Sequence, residues 1–124
     1  MPTSTVQLEI PASGAYLSVA RAAATGLAAQ LQFTYEEIDD LRIAVDELCH
    51  SVMSADGMGV VELVFELRDE GLVVGGAGPP IEPGGESKPS ELSRTIVAAV
   101  VDEHDLDRDG DALHFRLVKR ARRR

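Results

Sequence analysis

The chain has 124 residues, with 21 acidic against 12 basic side chains, a formal net charge of −9 and one cysteine. Such a length holds one hydrophobic core and leaves no room for a second, and the lone Cys49 excludes an internal disulfide and offers nothing towards a zinc site. No apolar run reaches the roughly 20 residues of a bilayer span, and Met1 to Ile10 lacks the basic and then apolar pattern of a secretory leader, so a cytoplasmic domain without membrane contact is expected.

Val6, Leu8 and Ile10 alternate with polar residues, which predicts a strand with one buried face, closed by Pro11. From Ser13, a suitable N-cap, Leu17, Ala20, Ala24, Leu27 and Leu31 recur at helical spacing and predict a first helix. Thr34 and Glu37 form a capping box, after which Ile38, Leu41, Val45, Leu48 and Val52 trace the apolar stripe of a second helix. Gly57 and Gly59 end it. Val61, Leu63, Phe65 and Leu67 alternate with charged residues, and Asp69 to Gly71 turn the chain into Leu72, Val73 and Val74, which makes a hairpin. Between Gly75 and Pro89 glycine and proline dominate, the composition of a lid-like loop. Leu92, Ile96, Ala99, Val100 and Glu103 predict a third helix starting near Ser90, and Leu113, Phe115 and Leu117 a last strand.

Lys119, Arg120, Arg122, Arg123 and Arg124 then put five cations in the last six residues, which leaves residues 1–118 at −14. The reading is a single domain over 1–118 and a basic C-terminal tail over 119–124. A body that acidic repels phosphate backbones, so it argues against direct nucleic-acid binding and suits a basic protein partner. The order of elements predicts an α+β fold: a two-layer sandwich of a mixed, mainly antiparallel sheet covered on one face by about three helices. Asp105 to Asp111 copies the first half of an EF-hand loop, but Arg116 stands where a bidentate glutamate belongs, so a solvated hairpin turn is the reading there. His50, His104 and His114 show no ligand spacing, and no metal site is expected.

The stretch Asp40-Leu-Arg-Ile-Ala-Val-Asp-Glu-Leu-Cys-His-Ser51 resembles the N-box helix of the Bergerat-fold (GHKL) ATPases, in the version found in RsbW-type anti-sigma-factor serine kinases. The first helix, the hairpin, the glycine-proline stretch, the third helix and the closing Phe-Arg-Leu-Val-Lys arrive in that family's order. The resemblance implies a histidine-kinase-like ATPase domain, usually a homodimer, with a sigma factor and an anti-anti-sigma factor as partners. It makes Glu47 the counterpart of the general base and puts Ser51 where an asparagine helps hold Mg²⁺. Gly76-Ala77-Gly78-Pro79-Pro80 falls on the Asp-x-Gly-x-Gly motif that reads adenine, so Gly76 stands where the carboxylate belongs and Pro80 where a glycine does. Glu91-Leu92-Ser93 falls on the glycine motif that cradles phosphates, and a carboxylate at a helix start repels them. Arg21 falls on an arginine that contacts the sigma factor.

The expectation is therefore an anti-sigma-factor-like regulator that binds a sigma factor, an anti-anti-sigma factor or both, without ATP turnover and without a cofactor. The alternative is an active serine/threonine kinase that phosphorylates the anti-anti-sigma factor. It would use Mg-ATP, with Glu47 as base and Ser51 and Asp46 on the metal.

Overall fold

The computed structural model describes residues 4–81 and 90–122. Strand β1 (Ser4–Pro11) leads through a 3-10 turn at Gly14–Tyr16 into α1 (Leu17–Gln30) and then α2 (Tyr35–Val52). The hairpin β2 (Val60–Arg68) and β3 (Gly71–Ala77) follows, and α3 (Glu91–Val100), β4 (Glu103–Asp109) and β5 (Ala112–Arg120) complete the described chain. The sheet order is β1-β2-β3-β5-β4, and each neighbouring pair is antiparallel. Helix α2 lies between α1 and α3 and packs on β3 and β5, while α1 lies over β1 and β2 and α3 over β4. This is the expected α+β two-layer sandwich.

One face of the sheet makes the core because strand side chains alternate. Ile10, Val61, Leu63, Phe65, Leu72, Val74, Phe115 and Leu117 point at the helices and are buried against Leu41, Val45, Leu48 and Val52 of α2. Helix α1 contributes Ala20, Ala24 and Ala28, all fully buried. Methyl-sized side chains at those three positions let its backbone lie close to the layer below. Among the described residues no helix is long and apolar enough to cross a membrane.

Four local readings are revised by the structure. Ser13 caps the short 3-10 turn, its Oγ accepting from Ala15 N–H at 3.4 Å, and α1 begins only at Leu17. The hairpin's second strand runs on through Gly75 and Gly76 to Ala77, because ladders to β2 on one side and β5 on the other outweigh glycine's poor strand propensity. The rest of the expected lid, residues 82–89, lies outside the described residues. In α3 the buried residue is Val97, with Leu92 70% exposed, and Glu103 belongs to the next strand.

The fourth concerns the acidic stretch read as a hairpin turn. Most of it is strand β4, and the turn is only Gly110 and Asp111, with Gly110 at a φ of 66° that glycine adopts freely. The strand's carboxylates hid it from a propensity reading, yet charges are what an edge strand needs to resist pairing with other chains. Strand β5 likewise continues past the expected end of the body at 118, through Lys119 and Arg120. Lys119 Nζ donates to Val100 O at 2.9 Å, at the C-terminus of α3, and lies 3.6 Å from Asp40. Arg120 pairs with Glu103, Ala121 N–H donates to Glu70 O, and Arg122 N–H donates to Glu37 Oε2 at 2.7 Å.

Candidate functional site

The second half of α2 carries the residues the resemblance singles out, and the capping box at its start sets their phase. Thr34 Oγ1 accepts from Glu37 N–H at 3.1 Å and Glu37 Oε1 accepts from Thr34 N–H at 2.8 Å. With that end fixed, the apolar stripe on the core places Glu47 and Ser51, four residues apart, side by side towards α3.

Glu47 is met there by Ser93, whose hydroxyl donates to Glu47 Oε2 at 2.6 Å. The Ser93 N–H is engaged as well, donating to Oγ of the N-cap Ser90 at 3.0 Å. Ser51 turns back on its own helix and donates its hydroxyl to Glu47 O at 2.8 Å. Its one proton is thereby used inside the helix. Glu91, in the first turn of α3, places its carboxylate charge at the positive end of that helix. A cavity of about 310 Å³ opens beside these groups between α2, α3 and β4, with Ser51, Ser93 and Arg94 on its rim and Leu48, Val97 and Leu106 beneath.

The glycines sit in a different setting. Gly76 faces the helix layer opposite Phe115 of β5, and a Cβ built on it would lie 2.1 Å from the Phe115 ring. The ring, 3% exposed, occupies the space that any side chain at position 76 requires. Gly78 presses on the end of α2, where a Cβ would lie 2.1 Å from Val52 O. Its lack of a side chain serves helix-to-strand packing. Pro79 and Pro80 follow, and the chain is pinned next by Ile81 N–H donating to Asp111 O at 2.6 Å.

Arg21 points from α1 at α2, where its Nε donates to Asp46 Oδ1 at 2.9 Å, both side chains about one third exposed. The structure thus brings Glu47, Ser51 and Ser93 together and sets Arg21 with Asp46 on the α1 side. Gly76 and Gly78 form a third place beneath. Cys49, fully buried and two residues on from Glu47, has its thiol pushed up to about 12, first by burial and then by the charge of Asp46. A thiol held protonated in this way is a packing group rather than a nucleophile.

The hydroxyl contact from Ser93 and the ring of Phe115 were not foreseen from the sequence. Sequence separation hides both, and only the placing of Phe115 opposite Gly76 in the β3–β5 register gives a signal.

No protein-family model matches the chain. Curated relatives do. A serine-protein kinase RsbW of Bacillus cereus strain B4264 is 28% identical over 72 residues, which cover 56% of this chain and 45% of the relative. A serine-protein kinase RsbW of Halalkalibacterium halodurans is 34% identical over 68 residues, 53% of this chain and 42% of the relative. The chain is thus a distant relative of proteins of that name, and the match spans less than half of their length.

Proposed function

We propose that this chain is an anti-sigma-factor-like regulator that works by binding a sigma factor, an anti-anti-sigma factor or both, and that it does so without turning over ATP. The observation that carries the second half is the Phe115 ring lying where a base-reading carboxylate at position 76 would have to be. Three further contacts support it. The Glu47 carboxylate already holds the Ser93 proton, Ser51 has spent its hydroxyl on the helix backbone, and Asp46 is bound to Arg21. A nucleotide entering here would have to displace all of them before it gained a metal contact.

Similarity to proteins named RsbW supports the first half, with Arg21 on α1 and the acidic body as the proposed means of contact. The kinase name of those relatives favours the second reading, an active serine/threonine kinase acting on an anti-anti-sigma factor with Glu47 as base and Mg-ATP as cofactor. Titration calorimetry of the full chain separates the two. The expected result is no Mg-ATP binding tighter than about 1 mM, together with binding of a host sigma factor that Arg21→Glu abolishes. Tight Mg-ATP binding with transfer of phosphate to a serine of the partner would establish the kinase instead.

A further inference from the structure

The face of the sheet turned away from the helices is uncovered and patterned. Along the central strand β3 it carries Gly71, Val73, Gly75 and Ala77, with Val73 packed beside Val118 of β5 and only 5% exposed, while Glu62, Val64 and Glu66 stand up from β2 on one side and His114 and Arg116 from β5 on the other. The result is a trough of about 340 Å³ running along β3. Strands β2 and β5 lie two inter-strand spacings apart, roughly 10 Å between backbones, so the gap between their side chains takes the side-chain ridge of a helix and not the whole helix. Val64 in its wall is 40% exposed.

The charges beside the trough carry the argument further. Glu9 and Glu62 are direct cross-strand partners on this face, both exposed, and among the described residues neither makes an ion pair. Like charges directly opposite each other weaken a sheet. On the far side Asp105 and Asp107 of β4 lie opposite Arg116 and His114, so this rim too carries acid. By contrast Glu66 is neutralised by Arg68 and Glu103 by Arg120. The uncompensated carboxylates are thus gathered at one end of the trough.

From this we infer that the open sheet face is a docking surface for a cationic amphipathic helix of a partner protein, its apolar ridge seated over Gly75 and Val64 and a lysine or arginine between Glu9 and Glu62. The backbone of Arg122 is bound to Glu37 in the helix layer, on the other side of the sheet. The inference rests on the reading that the protein acts by binding a protein partner, but not on which partner that is.

The test uses the full ¹⁵N-labelled chain and two synthetic helical peptides, one of leucine and lysine and one of leucine and glutamate in the same pattern. The lysine peptide should shift the amides of Glu62, Val64, Gly75 and Ala77, and the glutamate peptide should leave them in place. Gly75→Leu fills the trough, where a Cβ has no closer neighbour than Phe115 O at 3.9 Å, and should weaken lysine-peptide binding about tenfold. Glu62→Lys should weaken it by a similar factor while raising Tm, since it relieves the Glu9 repulsion.

Shifts confined to the helix layer, or equal shifts from both peptides, would overturn the inference. So would shifts of this face that grow with protein concentration alone, which assign it to a second copy. A chain that seats the lysine peptide here yet binds no sigma factor refutes only the sigma reading. One that binds a sigma factor yet shows no binding of the lysine peptide at this face refutes only this surface.

Discussion

Two of the glutamates of helix α2, Glu37 and Glu47, stand ten residues apart and live in opposite circumstances. Glu37 is 4% exposed and fully committed: one carboxylate oxygen takes the Thr34 N–H, the other the Arg122 N–H, with Lys119 close by. Burial alone would raise its pKa, but the N–H donors of Thr34 and Arg122, the Thr34 hydroxyl and the Lys119 charge outweigh that and hold it below the usual carboxylate value. Among the described residues Glu47 receives one hydroxyl, from Ser93, which itself lines an open cavity. One carboxylate is therefore a structural bracket joining the last strand to the start of α2, and the other is a group whose partner, among the described residues, is one exchangeable hydroxyl. A charged residue on a helix face has no meaning by itself; the number of donors that converge on it decides whether it builds or serves.

The sharpest test of that contrast is truncation of each glutamate. Glu37→Ala leaves two backbone N–H groups without acceptors and removes a capping box, so it should cost about 3 kcal/mol by urea denaturation, while Glu47→Ala should cost less than about 1 kcal/mol. Equal losses would break the comparison. Acid should sharpen it further. Because the folded-state pKa of Glu37 lies below its ordinary value of 4.5, its contribution is present above that pH and is lost as the pH falls through the lower folded value. Glu37→Gln should accordingly flatten the acid limb of the stability curve between about pH 5 and pH 2.

Next in size is Gly76→Ala, which drives a methyl group into the Phe115 ring and should cost about 2 kcal/mol. Phe115→Val in the same chain should recover part of that loss. Unchanged stability on Gly76→Ala would mean that the ring yields easily, and would remove the main support for a chain that works without nucleotide. The smallest expected effect is that of Ser93→Ala, which takes away the hydroxyl that donates to Glu47. A loss below about 1 kcal/mol is expected, read as a small drop in Tm.

Much of the architecture was legible beforehand. The capping box of Thr34 and Glu37, the stripe from Ile38 to Val52 and the alternation from Val61 to Leu67 are signals contained within one element, and each appears where it was read. Strand β4 was not, because Asp105, Asp107 and Asp109 look like a turn until β5 is placed beside them. The candidate site was half legible in the same sense. Glu47 and Ser51 could be set on one helix face by spacing, whereas the partners that occupy them come from α3 and from the helix backbone.

By itself the sequence determined the order and kind of most elements and the faces that α2 and β2 bury, though not β4 or the buried face of α3, since periodicity, capping and turn residues act over only a few positions. Tertiary structure alone decided that Arg21 meets Asp46, that Ser93 meets Glu47 and that Phe115 fills the space above Gly76. Those contacts join residues 25, 46 and 39 positions apart, and the cost of ordering such separated groups is met only when the whole sheet and its helices pack at once.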